Sequence, residues 1–111
     1  MAALRGVPVI TRPEYTVTSE LAPTGHQIVH VHVRKWTAKS ARQFRKDIDA
    51  AHALIGVPLF VVVPPDRPNL PKFLLAHGFV PDGVVTNQRG ELAPFFMRPL
   101  NHGRFDNHYL R

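Results

Sequence analysis

The sequence predicts an α/β (α+β) fold in which a mixed sheet is covered by one long and one short helix. Residues 27–35 alternate valines with polar side chains, and this period of two residues is typical of a strand with one buried face. Residues 41–55 instead repeat apolar side chains such as Phe44 and Ile48 at helical spacing. Residues 57–63 form a continuous apolar run rich in β-branched side chains, which predicts a strand buried on both faces of the sheet.

Capping and turn residues predict where these elements begin and end. Ser40, followed by Gln43 three residues later, predicts a capping box that starts the long helix at about residue 41, and Gly56 predicts its end. Pro71 and Gly78 bound a short helix over residues 70–77. The remaining predicted elements are strands at residues 7–11 and 15–19 and a hairpin whose strands, at 79–86 and 92–98, flank the turn 87–90.

The composition bounds the organisation and the chemistry of the chain. The 111 residues suit one domain, predicted over residues 1–98, followed by a C-terminal arm of residues 99–111 that shows no periodic pattern. The absence of cysteine excludes disulfides, thiolate catalysis and cysteine-ligated zinc. Because neither a signal peptide nor an apolar run of membrane-spanning length is visible, we expect a protein that is neither secreted nor transmembrane.

Positive charge is concentrated around the start of the long helix. The chain has 14 Lys and Arg against 8 Asp and Glu, a formal charge of +6 that favours anionic partners. Lys39, Arg42 and Lys46 share the helix face opposite Phe44 and Ile48, and these three cations are called the basic strip below. A solvated helix face, a nucleic acid or an acidic protein surface explains the pattern. The candidate interaction residues of this region are Arg34, Lys35, Trp36, Lys39, Arg42 and Lys46.

Two pairs of polar residues admit both a functional and a plain interpretation. His30 and His32 lie two residues apart on one strand face, but no third ligand is near in sequence, so we predict a partly exposed sheet face and no metal site. Asp47 and Asp49 diverge by about half a turn of helix, which predicts two solubilising charges and not a catalytic pair. The sequence contains no Ser-His-Asp arrangement, Walker loop or dinucleotide fingerprint.

The order of elements from Gln27 to Arg98 gives the chain a family resemblance. Strand, long helix, strand, short helix and hairpin follow one another there, and the segment FLLAHGF at residues 73–79 ends the short helix with Gly-Phe. Over about two thirds of the chain, this order resembles the C-terminal half of the acyl-CoA-dependent N-acyltransferases, the GNAT superfamily. The resemblance implies a GNAT-like fold truncated at the N-terminus. A ferredoxin-like or other small α/β sandwich is the alternative fold.

The chemistry that the resemblance implies is missing from the matching positions. The family holds the CoA pyrophosphate with backbone amides of a glycine-containing loop before the long helix, whereas residues 34–41 contain no glycine. Lys39, Ser40 and Ala41 stand as a vestige of that loop. Leu74 occupies the position of the tyrosine that protonates the leaving thiolate, and leucine cannot donate a proton. We therefore predict no catalytic residue and no cofactor, with acetyl-CoA as the cofactor under the acyltransferase alternative.

The first functional interpretation is a non-catalytic structural or interaction module of a larger assembly. Compact, basic, cysteine-free GNAT-like proteins resemble small virion-associated proteins of bacteriophage particles, which implies a virion-associated or cytoplasmic protein whose partners are other protein subunits and not a membrane. The alternatives are an N-acyltransferase with an atypical cofactor loop and a basic protein that binds nucleic acid through the basic strip. The arm adds three candidate interface residues, namely Phe105, Tyr109 and Leu110.

Overall fold

The computed structural model describes residues 6–100, and within this range the chain forms six strands and two helices. Contacts group the chain into two units that divide between Val57 and Pro58. The elements of the first unit are β1 (Val7–Thr11), β2 (Tyr15–Leu21), β3 (Gln27–Val33) and α1 (Ala38–Ile55). Those of the second unit are β4 (Leu59–Val62), α2 (Leu70–Ala76), β5 (Val80–Thr86) and β6 (Leu92–Arg98).

The first unit is an antiparallel sheet of three strands with α1 packed on one face. Strand β2 pairs with β1 on one side and with β3 on the other. The period of two predicted for β3 is confirmed, because Val29 and Val31 are buried while His30 and His32 are exposed. The buried hydrophobic residues of this unit are Ile10, Tyr15, Val17, Ile28, Val29 and Val31 from the strands together with Phe44, Ile48 and Ala51 from α1.

The long helix begins three residues earlier than the sequence predicts. Thr37 has an extended backbone and its hydroxyl accepts a hydrogen bond from the amide of Ser40, while the Ser40 hydroxyl accepts one from the amide of Thr37. The capping box is therefore Thr37 with Ser40, and the predicted box of Ser40 with Gln43 is wrong. The predicted end is confirmed: Gly56 closes the helix in the left-handed region, at φ 78°.

The second unit places β6 between β4 and β5, and both pairings are antiparallel. The predicted hairpin of β5 and β6 is confirmed, and β5 carries an irregularity between Pro81 and Val84. Helix α2 buries Leu70 and Leu74, and Gly78 follows it at φ 91° before the buried Phe79. The side chains of Phe60 and Phe95 stack with their ring centroids 5.2 Å apart.

Strand β4 is shorter and less enclosed than the apolar run of residues 57–63 predicts. The strand covers Leu59–Val62, and its side chains alternate between buried and half-buried. Val57 lies before the strand and is 43% exposed. Pro58 and Pro64 bracket the strand, and since proline has no amide hydrogen it limits how far a ladder extends. In the part of the chain from Gly6 to Leu100, no helix combines the length and the apolarity that crossing a membrane requires.

Candidate functional site

The loop between β3 and α1, residues 34–37, occupies the place where the GNAT resemblance puts a cofactor loop. Its backbone amides are used within the protein. The amides of Arg34 and Lys35 both donate to the carbonyl oxygen of Glu14, at 2.7 and 3.1 Å. The amide of Thr37 donates to the Ser40 hydroxyl at 3.2 Å, and the amide of Ser40 donates to the Thr37 hydroxyl at 3.1 Å. The loop is therefore fixed by internal acceptors at three of its four amides.

The Arg34 side chain fixes the same loop to the turn between β1 and β2. Its guanidinium donates to the carbonyl oxygens of Pro13 and Arg12, at 3.0 and 2.6 Å, and to the Thr16 hydroxyl at 2.7 Å. Much of the hydrogen-bonding capacity of Arg34 is thus used inside the first unit. This contact network was not visible in the sequence, since the partners lie 18 to 22 residues away.

An aromatic cluster lies beneath the loop. Trp36, Tyr15 and Phe44 contact one another edge to face, with ring centroids 5.2 to 6.0 Å apart. Tyr15 and Phe44 are fully buried, whereas Trp36 is 39% exposed. The two buried rings therefore hold an indole whose remaining surface faces solvent.

Asp47 accepts hydrogen bonds from three side chains of the first unit. Arg12 donates to both of its carboxylate oxygens at 2.9 Å, the Tyr15 hydroxyl donates at 2.8 Å, and the Gln43 amide donates at 3.0 Å. The hydrogen bonds from Arg12 lower the pKa of Asp47 to about 2, although burial opposes the shift. Burial and the bond to Asp47 raise the pKa of Tyr15 above its ordinary value. The prediction of Asp47 as a solubilising charge is wrong, because its side chain is only 12% exposed.

The basic strip lies on the solvent face of α1. Lys39, Arg42 and Lys46 are all exposed, as is Lys35 in the preceding loop. Within residues 6–100, salt bridges join Arg12 with Asp47, His30 with Glu20 and Arg89 with Glu91. The strip is thus a row of cations exposed on the solvent face of α1.

The other predicted site residues fall into three places. Ser40 and Ala41 lie inside α1 and not in a loop, and Ser40 is buried. Leu74 is fully buried in α2. Phe105, Tyr109 and Leu110 lie outside the described residues, so the proposed arm stays a prediction. Within the described range, no cluster of three or more potential metal ligands is present.

An open hollow of about 550 Å³ lies at the other end of α1. Seven residues line it, namely Val7, Val9, Ser19, Glu20, Leu21, Gln27 and Ile55. The Gln27 amide donates to the Ser19 hydroxyl at 2.6 Å, and Glu20 pairs with His30 at 3.6 Å. Its polar groups are thus bonded to each other or to a neighbouring strand, and no nucleophile and base are paired in it.

Solved structures of acetyltransferases resemble this chain, although neither a protein-family model nor a curated protein sequence matches it. AAC(6')-Ib in complex with ribostamycin and coenzyme A is 12% identical, with a TM-score of 0.62 over 90% of this chain and 63% of that one. The aminoglycoside acetyltransferase AAC(6')-Ib in complex with coenzyme A and kanamycin is 11% identical, with a TM-score of 0.62 over 90% and 66% of the two chains. A mutant of the spermidine N-acetyltransferase SpeG from Vibrio cholerae is 8% identical, with a TM-score of 0.53 over 80% and 68%.

The likeness to these enzymes is one of fold. The chain spans between 63% and 68% of their lengths, and 8% to 12% of the compared residues are identical. The order of strands and helices that the sequence predicts is the order that the structure contains. The chain therefore has a GNAT-like fold.

Proposed function

We propose that the protein is a non-catalytic GNAT-like interaction module that works as a component of a larger assembly, such as a bacteriophage particle. The observation that carries the first half of this proposal is the internal bonding of the loop between β3 and α1. A pyrophosphate held in the manner of the family would need the amides of this loop as donors. Here the amides of Arg34, Lys35 and Thr37 already donate to protein oxygens.

Freeing those amides for a phosphate is unfavourable. Each intramolecular hydrogen bond that is broken costs about 0.5–1.5 kcal/mol, and loss of the helix cap costs about 0.5–2 kcal/mol. Such a cofactor would also have to dislodge the Thr37–Ser40 capping box, on which the start of α1 depends. The loop favours its own closed arrangement over a bound pyrophosphate.

The proton donor of acyl transfer also lacks a counterpart in the described part of the chain. Leu74 stands at the position of the family's tyrosine and is fully buried. Tyr15 is the one tyrosine within residues 6–100, and its hydroxyl donates to Asp47 at 2.8 Å. Since this bond and burial raise the pKa of Tyr15, the hydroxyl is a poor acid.

The hairpin of β5 and β6 supports the second half of the proposal. Strand β5 is exposed along nearly its whole length, which is unusual for a strand with several apolar side chains. Val80, Val84 and Leu92 are 44%, 61% and 77% exposed. Exposed apolar side chains that lie together mark surfaces used in protein contacts. We take this hairpin as the surface that meets another subunit.

The competing function is an acyl-CoA-dependent N-acyltransferase with an atypical cofactor loop. Its support is that the similar solved structures are acetyltransferases, two of them in complex with coenzyme A. Lys35 and Lys39 could then attract the cofactor phosphates as point charges, in place of backbone amides. The two functions differ in one measurable property, which is affinity for acetyl-CoA.

Titration calorimetry with acetyl-CoA distinguishes the two functions. We expect no binding in the micromolar range for the wild-type protein, because the loop amides are occupied. Micromolar binding that is lost in Lys39→Ala but kept in Lys72→Ala would overturn the proposal and favour the acyltransferase. Lys72 is a matched control because it is an exposed lysine on the other helix.

The role of the hairpin is tested separately, with protein extracted from the cells that naturally produce it. Val84→Lys and Leu92→Lys should leave the melting temperature nearly unchanged, since both side chains are exposed, but should move the protein from a high-mass fraction to a monomer on size-exclusion chromatography. Leu54→Lys, on an 88% exposed residue of α1, is the control. A wild-type protein that elutes as a monomer from those cells would refute the assembly.

A further inference from the structure

We propose that the basic strip, together with Lys35 and Trp36, binds the sugar-phosphate backbone and stacked bases of single-stranded nucleic acid. This inference goes beyond the proposed function, since it concerns α1 and its preceding loop and not the hairpin of β5 and β6. Three observations carry it: the geometry of the strip, the lack of an acidic residue in the first turn of α1, and the exposed indole beside the cations.

The strip is a straight row of cations. Lys39, Arg42 and Lys46 follow one another at intervals of three and four residues, so they lie on one face of α1. At a rise of about 1.5 Å per residue the row extends about 10 Å along the helix axis. The opposite face buries Phe44 and Ile48, so the orientation of the row is fixed by the core of the unit. A row of cations held on one helix face suits a ligand with regularly spaced anions.

Lys39 lies in the first turn of α1, where the helix disfavours a positive charge. The start of a helix carries a partial positive charge, which favours acidic side chains in the first turn, but the first turn of α1 contains no acidic residue. Both aspartates of α1, Asp47 and Asp49, lie beyond its first turn, and Asp47 is held by Arg12 and Tyr15. Phosphates bound along the strip would neutralise these cations.

Trp36 separates nucleic acid from an acidic protein surface as the partner. The indole is 39% exposed, and Tyr15 and Phe44 support it from the protein side. It lies next to Lys35 in the chain and three residues before Lys39. Proteins that bind single strands without sequence preference combine cations that follow the backbone with aromatic rings on which bases stack. An acidic protein surface would pair with the cations but has no bases to stack on the ring.

The experiment uses the fluorescence of Trp36, which is the single tryptophan of the chain. Titration of the full chain with oligo(dT) should quench this fluorescence. Each phosphate contact contributes about −0.7 to the slope of log K against log salt concentration. With three or four cations engaged, we expect a slope between about −2 and −3.

Charge-neutralising variants place the contact on the strip. Arg42→Gln with Lys46→Gln should weaken binding about tenfold at low salt and reduce the slope by about 1.4, which corresponds to two lost contacts. Lys72→Gln with Arg89→Gln removes the same charge from the second unit and should leave the slope unchanged. Circular dichroism serves as the control that all variants are folded.

A second variant tests stacking by fluorescence anisotropy of labelled oligo(dT). Trp36→Leu should weaken binding about fivefold or more while keeping the wild-type salt slope, because a base contact is lost and no phosphate contact. Equal binding by wild type and the strip variant would overturn the proposal. Quenching of Trp36 by polyglutamate with the same affinity and salt dependence would also overturn it and identify an acidic protein surface as the partner. Neither outcome depends on acetyl-CoA binding, which tests the proposed function.

Discussion

At the residue scale, Asp47 connects the start of the sheet to the long helix. The carboxylate accepts both hydrogen bonds of the Arg12 guanidinium and a third from the Tyr15 hydroxyl, and these donors lie 35 and 32 residues earlier in the chain. Bidentate bonds between arginine and carboxylate are among the stronger polar contacts in proteins. Asp47 therefore positions the turn between β1 and β2 against α1.

Replacing Asp47 should weaken the first unit. Asp47→Asn keeps the shape of the side chain but removes the charge that attracts Arg12, so we expect the free energy of unfolding to fall by about 1–3 kcal/mol in urea melts. Asp49→Asn is the matched control and should change it by less than about 0.5 kcal/mol, because Asp49 is exposed. Equal effects at the two positions would contradict this role for Asp47.

The same residue predicts how stability depends on pH. The pKa of Asp47 falls from 3.8 to about 2 on folding, so the folded state favours the ionised carboxylate. Its contribution is complete above about pH 4 and is lost as the pH falls through about 2. The difference in unfolding free energy between wild type and Asp47→Asn should therefore be constant from pH 7 to 5 and shrink between pH 4 and 2. A difference that grows on acidification would show that the carboxylate is not stabilising.

At the scale of elements, the start of α1 depends on Thr37. Its hydroxyl caps the helix, and its backbone is extended, at φ −132° and ψ 174°, as a cap residue requires. Thr37→Ala should lower the free energy of unfolding by about 0.5–2 kcal/mol. Thermal melts measure this change, and Thr86→Ala, on an exposed threonine at the end of β5, serves as the control. A loss at Thr86 as large as that at Thr37 would argue against the cap.

The elements themselves were predictable from sequence because their signals are local. Alternation in β3, helical spacing in α1 and the Gly-Phe after α2 each depend on residues within a few positions of one another. The position of the cap was not predictable in the same way. Two pairs have the same spacing, namely Thr37 with Ser40 and Ser40 with Gln43, and only the backbone conformation distinguishes them. The Asp47 cluster was missed for a different reason: its partners are distant in sequence and converge through folding.

At the scale of the whole molecule, each unit has a large aromatic side chain with almost no exposure. Phe44 in the first unit is 0% exposed and Phe79 in the second is 1% exposed. Units of about fifty residues bury too little surface to be reliably stable alone. We therefore expect the chain to unfold in one transition, as the predicted single domain implies.

Core substitutions test this cooperativity. Phe44→Ala and Phe79→Ala should each lower the free energy of unfolding by about 3–5 kcal/mol and lower the midpoint of the same transition. The transition is followed by Trp36 fluorescence, which reports on the first unit, and by circular dichroism. Leu75→Ala, on a 55% exposed side chain, should leave both signals close to wild type. If Phe79→Ala showed two transitions by circular dichroism while the transition seen by Trp36 fluorescence stayed as in wild type, the units would unfold independently.

The position of β6 has a consequence for how the protein is made. This strand comes last among the described elements, yet it bonds to β4 on one side and to β5 on the other. On the ribosome, the hairpins of β1, β2 and β3 can close as soon as they emerge, whereas β4 and β5 must wait for Arg98 to leave the exit tunnel. Until then their edges are open to pairing with other nascent chains. A message truncated before the codon for Leu92 should therefore yield a product that aggregates or recruits chaperones.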